Sequence, residues 1–180
     1  EVIDDTKKKR DKARLAYILA QIYQEKNNFF MAADYYNEVI KYNPPYEMAF
    51  NAKLNLAMCS MGDSDDFDRV INPLKKMLDD EKNKEYKDKI YFVLAELYKE
   101  QNDIPTAIQH YRLSVSSSVN DNNQKAMSYL AMADMFFNRP NYPQAKSYYD
   151  STLTVLSKEY PRYEEVFTRR KNLKGLVYNL

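Results

Sequence analysis

Apolar residues return along this chain at two nested intervals. The short interval is helical: Ala16, Leu19, Ala20 and Tyr23 stand at i, i+3, i+4 and i+7, and Ala32, Tyr36 and Val39 keep the same period, which places each set on one helix face. The long interval is a repeat. Leu19-Ala20, Leu56-Ala57, Leu94-Ala95 and Met132-Ala133 recur at spacings of 37, 38 and 38 residues. Three residues after each doublet stands Tyr23, Ser60, Tyr98 or Phe136. Further on, a single apolar residue interrupts a polar turn (Phe29, Phe67, Ile104, Tyr142). Three beyond it comes a small or branched residue (Ala32, Val70, Ala107, Ala145), and four beyond that a bulky one (Tyr36, Leu74, Tyr111, Tyr149). The second copy keeps step only with one inserted residue around Gly62 to Asp66.

Each copy predicts two helices and a turn. Asn27-Asn28, Gly62 to Asp66, Asn102-Asp103 and Arg139-Pro140-Asn141 are helix-ending and N-capping residue types. Pro105 and Pro143 fall in the first turn of a second helix, where a missing N–H costs little. Asn43-Pro44-Pro45 closes the first copy. The small residue marks the crossing, since only an alanine-sized side chain lets two helix backbones approach closely. One such hairpin cannot bury its apolar face alone, so copies must stack. The expected fold is all-α, a right-handed α-solenoid of about four hairpins at about 10–45, 46–84, 85–121 and 122–160, forming a single domain over 1–180. After Pro161, Val166, Leu173, Leu176 and Val177 predict a further helix over 162–179 packed on the fourth hairpin, with Gly175 its weak spot. A longer second helix, as in the 23 residues 138–160, is expected to absorb the extra length of the period. The apolar end Val177–Leu180 points to a longer protein, and the charged front EVIDDTKKKRDKAR is expected to fray.

Composition removes whole classes of function. With 27 basic and 26 acidic residues there is no net field to gather nucleic acid or anionic lipid. Two glycines are too few for a phosphate-binding loop. One cysteine and one histidine preclude an internal disulfide and an ordinary Cys/His zinc site. His110 shares its repeat position with Tyr35 and Tyr148, so a ring is what that slot accepts. Cys59 aligns with Ile22, Leu97 and Met135 on the packed face of the first helix and reads as a buried, inert thiol. The acidic run Asp63–Asp68 lacks EF-hand spacing and its closing Glu, and negative charge at a helix start is its ordinary meaning. Lys7–Arg10 follows three acidic residues without interleaved aromatics, and reads as a solvated helix start. No cofactor, metal or catalytic site is expected, and the chain does not read as an enzyme.

The repeat resembles the tetratricopeptide repeat, whose signature runs through an aromatic, Leu-Gly, Tyr, then Ala, an aromatic and a terminal Pro. The Leu-Ala doublets, the following Tyr and the Ala-x3-Tyr step carry the likeness; Ala16, Lys53, Tyr91 and Tyr129 replace the leading Trp, and the period is about four longer than the usual 34. The resemblance implies a groove lined by first helices. The residue two before each Leu faces it (Tyr17, Leu54, Phe92, Leu130), one turn on come Gln21, Met58, Glu96 and Asp134, and then Gln24, Met61, Lys99 and Phe137. That groove has an apolar spine and a polar, partly acidic flank. It lacks the cations of a carboxylate clamp and suits an amphipathic helix or an extended hydrophobic peptide, unless a tight superhelix closes it or the chain's own downstream sequence fills it.

Three stretches, DKARLAYILAQIYQ, NPPYEMAFNAKLNLA and TRRKNLKGLVYNL, are similar to the N-terminal tetratricopeptide region of the SprE/PorW lipoproteins of type IX secretion and gliding. That resemblance implies a non-enzymatic scaffold held by an N-terminal lipid on the periplasmic side of the outer membrane, linking the outer-membrane translocon to the motor ring through other secretion-machinery subunits. The lipidated Cys would lie outside this chain. The alternative is a cytoplasmic adaptor or co-chaperone that takes a linear peptide motif in its groove.

Overall fold

The computed structural model describes residues 8–60 and 67–177. Expectations placed on residues 1–7, on Met61 and the turn after it, on the side chains of Leu176 and Val177, and on 178–180 fall outside the described residues. The described chain is all-α, with 83% helix and no strand. Its helices are α1 (Lys9–Glu25), α2 (Phe29–Lys41), α3 (Tyr46–Cys59), α4 (Phe67–Asp79), α5 (Lys87–Glu100), α6 (Ile104–Ser117), α7 (Asn122–Asn138), α8 (Tyr142–Val155) and α9 (Tyr163–Val177), with a 3-10 turn over Glu81–Tyr86.

Turn chemistry sets the boundaries. Asn27, Asn43 and Asn102 take φ of 57°, 50° and 59°, the left-handed conformation that asparagine tolerates and that ends a helix. Asn28, Asp103, Asp121 and Asn141 then accept a hydrogen bond from the backbone N–H three residues on, at 3.2, 3.2, 2.9 and 3.4 Å, each satisfying an orphan donor of the next helix. Pro105 and Pro143 stand in the first turn of α6 and α8.

The chain forms two compact units, residues 1–79 and 80–180. In the first, α1 and α2 make an antiparallel hairpin and α3 stacks on α2. Ala16, Ala20, Ala32, Tyr36, Val39, Ala52 and Cys59 form its core. The second holds the hairpins α5/α6 and α7/α8, α7 stacking on α6 and α9 on α8. Its core runs from Ala95, Ala107, Tyr111 and Met132 to Ala133, Ala145, Tyr149, Val166 and Leu173. The crossing alanines Ala32, Ala107 and Ala145 are fully buried, as close helix approach requires.

Three of the hairpins share one set of locks. A stacked or tilted ring pair joins the two helices: Tyr23 with Tyr35 at 5.4 Å, Tyr98 with His110 at 5.1 Å, and Phe136 with Tyr148 at 5.6 Å. His110 is therefore part of the packing, with Nδ1 3.0 Å from the carbonyl of Thr106. Cys59 is buried, and burial pushes its thiol up to about 11, so it carries almost no thiolate at neutral pH.

Two expectations need correction. The second helices are not lengthened: α2 and α4 have 13 residues, α6 and α8 have 14. The extra length lies between hairpins, in the 3-10 turn and in residues 156–162. Helix α8 stops because Leu156 turns extended, with ψ 128°, after a run in which Ser151, Thr152 and Thr154 bond back to carbonyls three or four residues earlier and so weaken the helix interior. Secondly, Ile22 is 39% exposed, whereas Cys59, Leu97 and Met135 in the same slot are at most 5% exposed. In α3 and α7 the slot is covered by the preceding second helix; among the described residues no helix precedes α1.

Candidate functional site

The second unit carries a concavity on its first helices. A cavity of about 300 Å³ opens between α5 and α7. Phe92, Met127, Leu130 and Ala131 give it an apolar floor, and Glu96, Lys99, Asp134, Arg139 and Arg162 its polar rim. Spacing explains the convergence: Phe92, Glu96 and Lys99, like Leu130 and Asp134, stand three or four apart on one helix face.

A tyrosine from each second helix reaches under this face. Tyr111, fully buried, donates its hydroxyl to Glu96 Oε1, and Lys99 Nζ bridges the other carboxylate oxygen. Tyr149 donates to Asp134 Oδ1 at 2.6 Å. Arg169 Nη1 donates to the same Asp134 oxygen at 3.0 Å and Arg162 Nη2 to Oδ2 at 3.4 Å. Burial raises the pKa of the Tyr111 hydroxyl, helped by the Glu96 charge, and pushes Tyr149 up to about 12, helped by its bond to Asp134. Neither carboxylate stands as open negative charge. The rim is a chain of neutralised pairs, with Arg139 beyond them donating to Asn102 at 3.0 Å.

The other sequence-chosen residues divide between the units. In the second, Phe137 packs edge-on against Tyr142 and Tyr149 and carries the Arg169 guanidinium 5.3 Å above its ring; it does not line the cavity. In the first, Tyr17 lies edge-on to Tyr36 at 5.7 Å and accepts from Asn55 Nδ2 at 3.4 Å. Gln24 accepts the Tyr36 hydroxyl at 2.7 Å, taking the role that Glu96 and Asp134 play later, while Gln21, the residue in their slot, is exposed. Leu54 is buried and Met58 half-buried, and Met61 is outside the described residues.

Sequence reasoning missed Met127, Arg139, Arg162 and Arg169. Helix α9 stacks on α8 as a first helix stacks on the hairpin before it, and brings Arg169 together with Arg162, the residue just before its start. Their signal was present: Arg162, Glu165 and Arg169 are spaced i, i+3, i+7 and form ion pairs of 2.9 and 2.8 Å, alongside the buried Val166 and Leu173.

These features define a helical-repeat protein with an apolar concavity whose carboxylates are paired. Residues 13–46, the α1/α2 hairpin with the start of α3, match the family model of the tetratricopeptide repeat, and that match supports a tetratricopeptide-repeat protein. No curated protein matches the chain. Among the described residues no helix is long and apolar enough to cross a membrane, and no group of His, Cys, Asp and Glu side chains is placed to hold a metal ion.

Proposed function

We propose that this protein is a non-enzymatic protein–protein interaction scaffold that captures helical or extended segments of its partners on the first-helix face. The observation that carries the reading is the cavity between α5 and α7: an apolar floor around Phe92 and Leu130, within a rim whose two carboxylates, Glu96 and Asp134, are already paired with cations. Such a rim orients a peptide without demanding a charged terminus, and the floor supplies the favourable burial. Phe92→Glu and Tyr17→Glu place a charge on this face in either unit. Retained helicity with lost partner capture from an envelope extract is the expected result. Capture unchanged by both would remove the first-helix face from the binding surface.

The similarity of DKARLAYILAQIYQ, NPPYEMAFNAKLNLA and TRRKNLKGLVYNL to the SprE/PorW lipoproteins supports a narrower role. In it, the protein is a periplasm-facing link between the outer-membrane translocon and the motor ring in type IX secretion and gliding. An upstream lipidated cysteine would tether it to the outer membrane. Fractionation of native cells tests this, with the protein expected in the outer-membrane fraction and released by lipoprotein-specific cleavage. Recovery from the cytosol would overturn the role and favour a peptide-binding adaptor.

A further inference from the structure

The α5/α7 cavity carries one cation more than its carboxylates balance. Glu96 is bridged by Lys99, and Asp134 by Arg162 and Arg169, both of which also pair with Glu165. Three carboxylates thus meet three cations. Arg139 is the fourth cation, exposed on the same rim. Among the described residues it meets no carboxylate, and its hydrogen bond goes from Nη2 to the neutral Asn102 Oδ1 at 3.0 Å. Asn102 is itself fixed in the turn after α5, by its φ of 59° and by a backbone N–H bond to the carbonyl of Lys99 at 2.9 Å. The guanidinium is therefore oriented from one side and keeps its remaining N–H groups for an incoming acceptor.

The cavity is also polarised along its length. On both helices the apolar lining residues come first and the polar ones follow: Phe92 precedes Lys99, and Leu130 precedes Asn138 and Arg139. Asn138 is exposed beside Arg139, and its carboxamide has no side-chain partner among the described residues. It offers a donor and an acceptor together. A helix satisfies its own backbone groups, whereas an extended chain needs such partners from outside.

We infer that this cavity takes an extended segment of a partner protein, in which a bulky apolar residue and an Asp or Glu stand four residues apart, the acid pairing with Arg139. The inference rests on the first-helix reading above and names the chemistry of the segment captured there. Charge complementarity sets the acid, since Arg139 holds the cavity's unmatched charge. Distance sets the spacing. Leu130 and Arg139 are nine residues apart, about 13 Å along α7 at 1.5 Å per residue. An extended chain covers about 13 Å in four residues, and its residues i and i+4 point to the same side. Size agrees: at about 300 Å³ the cavity is smaller than one turn of a helix with its side chains, a cylinder about 10 Å across and 5.4 Å long.

The test uses the whole 180-residue chain and a fluorescein-labelled nine-residue peptide with blocked ends. Leu stands at its centre, Glu four residues to either side so that both chain directions are served, and Ser and Ala fill the rest. Fluorescence anisotropy is expected to show saturable binding, weakened about three- to fivefold when both Glu are replaced by Gln, the scale of an exposed ion pair. That exchange leaves the protein untouched. Arg139→Gln should weaken the Glu peptide equally and leave the Gln peptide unchanged, and Arg139→Glu should prefer a peptide with Lys in place of Glu. High salt should erase these differences. Moving each Glu to three residues from Leu turns it to the opposite side of an extended chain and should forfeit the advantage; an advantage kept overturns the extended occupant. Glu and Gln peptides that bind alike, both lost with Phe92→Glu, overturn the inference and leave the first-helix reading standing. No saturable binding by either peptide also overturns it, and capture from the extract then decides the wider reading alone.

Discussion

Tyr111→Phe removes one hydroxyl and leaves a fully buried ring in place, so it isolates the bond that Tyr111 donates to Glu96. The size of the loss can be worked from the surroundings. A hydrogen bond to a charged partner is worth about 1.5–3 kcal/mol, and one between neutral groups about 0.5–1.5. Glu96 keeps Lys99 as a second partner, and its side chain is 14% exposed, so water partly replaces the lost donor. The cost should therefore fall near the lower limit, about 1.5 kcal/mol. Tyr36→Phe breaks the corresponding bond to the neutral Gln24 and should cost about 1 kcal/mol or less. Urea denaturation followed by circular dichroism measures both differences. In a Glu96→Gln background the acceptor remains but its charge is gone, so the Tyr111→Phe cost should fall to the Tyr36→Phe value; the double-mutant cycle reads the difference. A Tyr111→Phe cost below about 0.5 kcal/mol, or no coupling to Glu96, would refute the view that these tyrosines fasten the groove face to the second helices.

Leu97→Ala should cost about 2–5 kcal/mol because it opens a cavity in a packed slot, whereas Ile22→Ala, in the same repeat slot but 39% exposed, should cost less than about 1.5; equal costs in melting experiments would contradict the assigned packing. At Gly175, inside α9, an added Cβ meets nothing within 4 Å, so Gly175→Ala should stabilise by about 0.5–1 kcal/mol, read as a raised Tm. Alkaline stability follows from the buried hydroxyls. An unfolded tyrosine loses its proton near pH 10, while folded Tyr149 holds its own to about 12 and Tyr36 and Tyr111 are raised too. Between these limits the unfolded chain binds fewer protons, so stability is fully present below pH 10 and falls as pH rises through 12. A denaturation midpoint that stays flat from pH 9 to 12 would contradict this.

The repeat was legible because in three of the four copies one alanine and one tyrosine do a job that few other residues do. Ala32, Ala107 and Ala145 admit a crossing helix, and the asparagines and aspartates of the turns mark where each helix stops and starts. Helix lengths were less legible: the period says how far apart copies lie, not whether the surplus is helix or connection, and the back-bonding of Ser151, Thr152 and Thr154 decides that locally. Ile22 misled because a repeat slot describes a neighbour as much as a residue, and the first helix has none before it among the described residues. At the groove, Glu96 and Asp134 read from sequence as open acids. Their neutralisation depends on Lys99, Tyr111, Tyr149, Arg162 and Arg169, and two of these come from α9 and the residue just before it, about 30 residues away from Asp134. The departures of the second copy from the pattern, at Ser60, Val70, Pro73 and Leu74, were visible as poor likeness, but the sparse packing of α3 on α4 needed the helices in place.

Site-specific photocrosslinking in native cells tests the scaffold reading most directly. A photoreactive side chain at position 92 or 127, on the first-helix cavity, is expected to give a discrete covalent adduct with a partner protein, and one at Gln109, exposed on α6, none. Adducts from position 109 with none from 92 or 127 would contradict it.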